Sequence, residues 1–149
     1  MEQNFWLFGT ELKILADEQD TEGRYDLIEG TLASRVETPV HLHSKYSEKI
    51  YVLEGEFTVF TPNSAVKASM GMSVFIPANT PHVVSAGENE INRALTIASP
   101  SGFAKLIREV GTPSMSGNRP VESIDTMDRF LKLSETIGDI LLSPPGGRP

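Results

Sequence analysis

The chain has 149 residues and a net charge of −7, with 39% hydrophobic and 22% charged residues, so one domain with a packed core is expected rather than two. The acidic balance without any cluster of lysine or arginine, and the lack of an apolar run of about 18–20 residues, argue against nucleic acid and membrane partners and predict a cytoplasmic protein. Because the chain has no cysteine, any bound metal must be held by nitrogen and oxygen ligands.

Short runs with a preference for β structure, separated by clusters of Gly, Pro and Asn, fill residues 5 to about 99 and predict an all-β sandwich or barrel. The clearest hairpin is KIYVL-EG-EFTVF, in which Glu54 and Gly55 would form a two-residue turn, because glycine accepts a positive φ at little cost. The runs are FWLFGTELKIL, RYDLIEGTLA, KIYVL, EFTVF, SAVKAS, MSVFI, HVVSA and RALTIA.

Two helices are predicted after Pro100. In SGFAKLIREVG the apolar residues recur at i, i+3, i+4 and i+7, which predicts an amphipathic helix over residues 101–110 with Ser101 as its N-cap. A second helix is predicted over residues 125–137, and Gly138 would end it. The apolar side of this second helix is formed by Met127, Phe130, Leu131 and Ile137.

These elements predict a single domain over residues 1–149. The barrel covers residues 5 to about 99, the C-terminal helical segment covers about 101–138, and residues 139–149, which contain SPPGGRP, are predicted to be a loose tail. No internal repeat is visible, so a duplicated two-barrel form is not expected.

The chain has only three histidines, and their placement indicates a metal site. His41 and His43 are two residues apart, so on a strand they face the same way with Cα atoms about 6.6 Å apart. Glu48 opens the next strand after the short SKYS connection, and His82 follows the turn-like PANTP. Three imidazoles and one carboxylate suit Fe, Mn, Ni, Cu or Zn as a divalent ion, and the ligand types do not choose among them.

These two segments resemble the two sequence motifs of the cupin superfamily. The resemblance implies a small antiparallel barrel, the jelly roll or double-stranded β-helix, with one divalent transition metal bound inside it by His41, His43, Glu48 and His82. The residues that match the first motif are His41, His43, Glu48 and Gly55, and those that match the second are Gly71, Pro77 and His82.

Three positions depart from the motifs. Arg35 and Asn79 stand where the motifs have glycine, and Ala86 stands where the second motif ends on asparagine. Beyond the motifs, ASPSGFAKLIREVGTP followed by a further helix resembles the C-terminal region of small single-domain cupins described as quercetin dioxygenase-like.

The predicted hairpin also assigns side chains to the two faces of the sheet. With Glu48 pointing into the barrel, a mostly apolar substrate pocket is predicted, and alternation places Val84 on the same side as His82. The opposite face carries Tyr51, Leu53 and Phe60, which predicts packing on another sheet, a helix or the second subunit of a homodimer. Tyr46 lies near the barrel mouth by sequence and could hydrogen-bond a substrate, but the favoured interpretation is a surface residue. The predicted pocket residues are Ile50, Val52, Phe57, Val59 and Val84.

The first functional hypothesis is a metal-dependent dioxygenase that acts on an enol or aromatic hydroxyl compound, with an apolar or aromatic small molecule as substrate. Glu48 would be the ligand that also accepts a proton. Two alternatives stay open, a non-enzymic cupin that binds or senses a metal or small molecule, and a metal-dependent isomerase or lyase, because one scaffold supports many reactions.

Overall fold

The computed structural model describes residues 3–114 and 124–149, without the side chains of 124–127, 134 and 135. Strands dominate, and the two helices α1 (Phe103–Val110) and α2 (Ile124–Ile137) follow the barrel. The strands are β1 (Asn4–Leu7), β2 (Thr10–Ala16), β3 (Asp26–Ala33), β4 (Pro39–His43), β5 (Ser47–Glu54), β6 (Glu56–Thr61), β7 (Ser64–Ser69), β8 (Ser73–Ile76), β9 (Val83–Ala86), β10 (Ile91–Ser99), β11 (Thr112–Pro113) and β12 (Asp139–Pro145).

The strands form a barrel of antiparallel layers. One layer has seven strands in the order β11-β1-β2-β3-β10-β5-β8, and the others are β7-β6-β9 and β12-β4. A bridge between His41 and His82 joins β4 to the start of β9, with both backbone N–H groups donating to the opposite carbonyl, at 3.1 and 2.9 Å. The predicted all-β barrel with two C-terminal helices is confirmed.

Alternation along the strands produces the core. In β5 every second side chain is buried, which places Glu48, Ile50 and Val52 inside. Each such buried aliphatic side chain contributes about 1.5–3 kcal/mol relative to exposure. A second apolar cluster forms where α1 and α2 pack on β1, β2 and β3, with Leu106 and Ile107 at its centre. The two helices therefore close one side of the barrel.

The predicted hairpin between β5 and β6 is wrong. β5 pairs with β10 and β8, whereas β6 pairs with β7 and β9, so Gly55, with φ 73°, forms a corner between two layers. Asn92, which is fully buried, accepts a hydrogen bond from Glu56 N at 3.1 Å in place of a hairpin partner. The face assignment nevertheless agrees with the structure, because alternation does not depend on the neighbouring strand. The inward residues Ile50, Val52, Phe57 and Val59 are all buried.

Ser101 is not the N-cap of α1. The helix begins after Gly102, which makes no side-chain cap. Instead the buried carboxylate of Asp26 on β3 accepts hydrogen bonds from Gly102 N and Ala104 N, both at 2.9 Å. A cap from a residue this distant in sequence leaves no local pattern, which is why the nearer serine was favoured.

The second helix lies close to its predicted bounds, and Gly138 ends it with φ 83°. Phe130 and Ile137 are buried as expected, but Leu131 is 52% exposed, so its assignment to the apolar side is wrong. Phe130 takes the buried side of this helix, and Leu131, about 100° further round, lies outside it. The side chain of Met127 lies outside the described residues.

The prediction of a loose tail is also wrong. Residues 139–145 form β12, which pairs antiparallel with β4 and places Asp139 opposite His43. The two prolines of this segment indicate a loop when read locally, but proline is tolerated in a strand at the edge of a sheet. β4 has no other long strand beside it among the described residues, so β12 completes its hydrogen bonding.

The outer surface bears on the predicted homodimer. Tyr51 and Phe75 are exposed at 42% and 56%, whereas Phe60 is covered by the chain's own Arg148, whose guanidinium lies 4.3 Å from the ring centre. The homodimer stays a prediction. Within the described ranges, neither helix has the length and apolar character needed to cross a membrane.

Candidate metal centre

Three imidazoles meet inside the barrel. β4 carries His41 and His43 on one face, and the bridge to β4 brings His82 beside them, so that one ring nitrogen from each histidine lies within 4.8 Å of the others. His43 and His82 are buried, at 4% and 0% exposure, and His41 is half-buried. The three could hold one metal ion.

The Nδ1 atoms of all three histidines are occupied by hydrogen bonds. Those of His41 and His82 lie 2.8 Å from the carbonyl oxygens of Pro39 and Thr80. The Nδ1 of His43 instead lies against a carboxylate oxygen of Asp139. When Nδ1 carries the donated proton, the lone pair of Nε2 is free for a metal.

Glu48 lies across the open side of this cluster. Its two carboxylate oxygens are 3.3 Å from His43 Nε2 and 3.4 Å from His82 Nε2, and both nitrogens are buried without a hydrogen-bond partner among the described residues. Two donors that are each about 2.1 Å from one ion are separated by about 3.0–3.4 Å in octahedral or tetrahedral geometry. The two distances from Glu48 to the histidines therefore match the spacing of neighbouring ligands on one divalent ion.

The charges of these groups are strongly coupled. Burial would raise the pKa of Glu48, but His43 and His82 hold it well below its usual range. Burial would lower the pKa of His43, yet Glu48 and Asp139 raise it to about 10. The pKa of His41 lies well below its usual value, because of its burial and of the charges on His82 and His43. In the metal-free protein, His43 is therefore an imidazolium between two carboxylates.

The sequence reasoning missed two residues behind the histidines. Asp139 is fully buried, and no local pattern marks it apart from its position after Gly138. Tyr46, interpreted as a surface residue, is only 2% exposed, and its ring stacks on His43 with ring centres 4.5 Å apart. Burial, followed by the charges of Asp139 and Glu48, raises the pKa of Tyr46 well above its usual value.

An apolar cleft of about 460 Å³ reaches His41 and His43 from the helical side of the barrel. A second cleft, of about 510 Å³, shares His41 and Phe103 with the first and extends into the barrel past Glu48. Both helices contribute to the wall of the first cleft. Its aromatic and aliphatic lining is Leu7, Phe8, Leu12, Phe103, Leu106, Phe130 and Leu141.

The predicted pocket residues divide into two groups. Ile50, Phe57 and Val84 line the inner cleft. Val52 and Val59 are buried in the same apolar cluster as Ile50 and Phe57, but they do not line either of the two clefts. Alternation predicts which face of the sheet a side chain lies on, but it does not predict whether that side chain borders a cleft.

Comparison with known proteins identifies the fold family. A family model described as "Cupin domain" matches residues 29–98, which include all three histidines and Glu48. The quercetin 2,3-dioxygenase of Bacillus subtilis (strain 168) is 26% identical over 135 residues, 89% of this chain but only 39% of that protein. Residues 29–98 are thus a cupin domain.

Solved structures with a similar fold agree with this assignment. An RmlC-like cupin from Shewanella frigidimarina NCIMB 400 has a TM-score of 0.58 and 20% identity, over 68% of this cupin and 86% of that chain. The polyketide cyclase RemF from Streptomyces resistomycificus has a TM-score of 0.55 and 25% identity, over 80% of this cupin and 77% of that chain. This cupin therefore spans about two fifths of the curated dioxygenase and about three quarters of the cyclase.

The three departures from the cupin motifs have different structural meanings. Arg35 and Asn79, which replace glycines, both adopt the left-handed backbone of the residues they replace, with φ 62° and 63°. Asparagine tolerates this region, whereas arginine pays about 1–2 kcal/mol for it. Ala86 is buried at 6% exposure and pairs with Phe57 on β6, so it fills core space where the motif has an amide.

Proposed function

We propose that this cupin binds one divalent transition metal (Fe, Ni, Mn, Cu or Zn) through Nε2 of His41, His43 and His82 and a carboxylate oxygen of Glu48, and that it is a dioxygenase. The proposed substrate is a small enol or aromatic hydroxyl compound. The observation that carries the proposal is the pair of buried Nε2 atoms without partners, 3.3 and 3.4 Å from one carboxylate, at the inner end of an apolar cleft.

The bound metal would supply Lewis acidity and, for a redox-active ion, electrons for oxygen chemistry. The chain's own residues would bind the substrate and exclude water. Phe103 and Phe130 line the first cleft and suit the faces of a flat ring system. Glu48, which borders the inner cleft, would accept the proton of a substrate hydroxyl as the oxygen approaches the metal.

A polar group also faces the cleft. Thr10 lines both clefts, is 6% exposed, and has a buried hydroxyl without a hydrogen-bond partner among the described residues. A buried hydroxyl without a partner costs free energy, which a substrate hydroxyl or carbonyl would recover. Thr10 is therefore proposed to orient the substrate, and the scarcity of other free polar groups fits an apolar or aromatic compound.

The first experiment is metal analysis by elemental mass spectrometry on untagged protein, with a His41→Ala/His82→Ala double variant as control. We expect a near-stoichiometric transition metal in the wild type and its loss in the variant. Oxygen uptake is then followed with flavonols and simple enols, using the wild type loaded with each metal in turn and the metal-free wild type as reference.

The outcomes separate the candidate functions. Oxygen consumption that needs both metal and an enol or polyphenol supports the dioxygenase. Substrate conversion without oxygen uptake would instead establish an isomerase or lyase, a second candidate that is favoured by the similarity to a protein described as a polyketide cyclase. A thermal shift with the same compounds and no turnover would establish a binding or sensing cupin.

A further inference from the structure

The three histidines differ in what supports them from behind. His41 and His82 each use the carbonyl of the residue two positions earlier in the chain. For His43 the equivalent carbonyl belongs to His41, and that oxygen already accepts the hydrogen bond from His82 N at 2.9 Å. His43 has a carboxylate as its partner instead, that of Asp139.

The position of Asp139 is fixed by several contacts of its neighbours. β12 pairs with β4 in the register that places Asp139 opposite His43 and Leu141 opposite His41. Just before the strand, the carbonyl of Gly138 accepts hydrogen bonds from Ser44 N at 2.9 Å and Ser44 Oγ at 2.7 Å. Ser44, which follows β4, therefore fixes Gly138, which precedes Asp139.

The hydrogen bonds of Asp139 do not explain why a carboxylate is buried at this position. Its second carboxylate oxygen and the hydroxyl of Tyr46 are both buried without a well-aligned hydrogen bond among the described residues, although the two groups are close enough that Asp139, after burial, helps to raise the pKa of Tyr46. Burying a carboxylate costs free energy unless an opposite charge lies close to it. A cation held by the histidines would be such a charge.

The count of buried charges supports a cation at this place. Glu48 and Asp139 are two buried carboxylates on either side of His43, so a divalent ion on neutral imidazoles brings the buried charge of the site to zero. With Glu48 alone, the ion would leave one uncompensated positive charge in the interior. A metal-bound histidine backed by a carboxylate is also a stronger donor, because its imidazole gains basicity.

We infer that Asp139 is a positioning residue for the metal site. It holds His43 with Nε2 directed to the ion, and it supplies a second negative charge to balance a divalent cation. The inference rests on the metal site of the proposed function. It assigns a binding role to the C-terminal strand β12, which lies outside the segment matched by the cupin family model, residues 29–98.

The test compares the affinity of metal-free wild type and Asp139→Asn for Zn(II) and Co(II), by competition with a chromophoric chelator. Asparagine keeps the size and can still accept the hydrogen bond from His43, but it lacks the charge. We expect the dissociation constant to rise about 10–100-fold, with an altered visible spectrum of bound Co(II). The matched control is Asp17→Asn, which removes a carboxylate that pairs with Arg108 at 2.8 Å, away from the histidines.

A second measurement does not depend on a variant that folds. In Zn(II)-loaded wild type labelled with ¹⁵N-histidine, the Nδ1–H proton of His43 should resonate furthest downfield of the three, because only its acceptor is a carboxylate. A proton on Nε2 of His43, or three equivalent Nδ1–H protons, would overturn the inference.

The outcomes distinguish the two levels of the argument. If the wild type binds neither Zn(II) nor Co(II), the proposed metal site itself fails. If the wild type binds both and a folded Asp139→Asn binds them equally well, the site stands and Asp139 only anchors β12. Weaker binding in Asp139→Asn with normal binding in Asp17→Asn supports the positioning role.

Discussion

Glu48 lies between His43 and His82, and its negative charge favours a cation at this site. Without metal, a proton on His43 lies between the two carboxylates of Glu48 and Asp139. With metal, the ion replaces that proton. A residue that serves both states is sensitive to loss of charge even when its shape is kept.

The first prediction concerns Glu48→Gln. Glutamine keeps the size and one oxygen but removes the negative charge, so metal affinity should fall at least 10-fold, because a neutral amide is a weaker ligand for a divalent transition ion. Competition with a chelator measures the effect. Glu54→Gln is the control, since Glu54 ends the same strand but pairs with Arg93 at the surface, at 3.0 Å. Equal affinities in the two variants would contradict the prediction.

The second prediction concerns pH and the metal-free protein. The pKa of His43 is raised from 6.5 to about 10, so its imidazolium stabilises the folded state fully below about pH 6.5, and this contribution is lost as pH rises toward 10. Thermal unfolding in the presence of a chelator should therefore show falling stability from pH 6.5 to 10.

The control for the pH prediction is His43→Gln, whose stability should be flatter over the same range. Metal affinity should change in the opposite direction and rise with pH, because the ion displaces the proton from His43. A wild-type stability that is constant from pH 6.5 to 10 would show that His43 is neutral in the metal-free protein.

Sequence reasoning could find the residues that face the proposed ion, and not those behind them. His41, His43 and His82 belong to recognisable spacings, whereas Asp139 lies in another element, 96 positions from His43. Tyr46 was assigned to the surface because it lies in a short polar connection. Its burial comes from Phe103 and Gly102 of the first helix, which pack around its ring, and no spacing encodes that contact.

At the level of elements, the corner between β5 and β6 decides how the barrel closes. Gly55 has φ 73°, and a Cβ atom there would lie 2.3 Å from the buried Oδ1 of Asn92. That oxygen already accepts the hydrogen bond from Glu56 N. The corner needs glycine both for its backbone and for its space.

The third prediction compares two glycine-to-alanine variants. Gly55→Ala should lower the free energy of unfolding by clearly more than the backbone strain of about 1–2 kcal/mol, because Asn92 must also be displaced. Gly23→Ala has nearly the same φ, 76°, but nothing within 4 Å of the added Cβ. It should cost only the backbone strain of about 1–2 kcal/mol. Urea unfolding measures both, and equal losses would mean that Asn92 moves without cost.

The strands themselves were largely predictable, and their partners were not. The alternation in β5 and β6 identified which side chains are buried, since it depends only on the pleat. The hairpin failed because a two-residue turn and a corner have the same local sequence signal, and the choice between them is made by Asn92 on β10. In the same way, Asp26 and not the adjacent Ser101 satisfies the N-terminus of α1.

For the whole molecule, we expect metal binding and folding to be coupled equilibria. The proposed ligands come from β4, from β5 and from the bridge before β9, so unfolding would separate them. An ion that binds only the folded state adds stability with its concentration, about 2.7 kcal/mol at a free concentration 100 times the dissociation constant.

The fourth prediction is that the unfolding temperature of metal-free protein rises progressively with added Zn(II). The His41→Ala/His82→Ala variant should show no such rise, although its own stability differs. Differential scanning calorimetry at several metal concentrations makes the test. A rise of equal size in the variant would assign the effect to surface sites, and no rise in the wild type would mean that the histidine cluster does not bind the ion.

The pairing of β12 with β4 has a consequence for the order of events on the ribosome. Translation at roughly 5–20 residues per second adds residues 139–145 about 3–13 s after His82. Throughout that interval the nascent chain carries every proposed ligand, but His43 has no carboxylate behind it. The barrel can begin to collapse around its histidines before the last strand emerges. Because the proposed hydrogen bond behind His43 comes from that strand, we expect the centre to reach its full affinity for a cation only once β12 has been synthesised and has paired with β4.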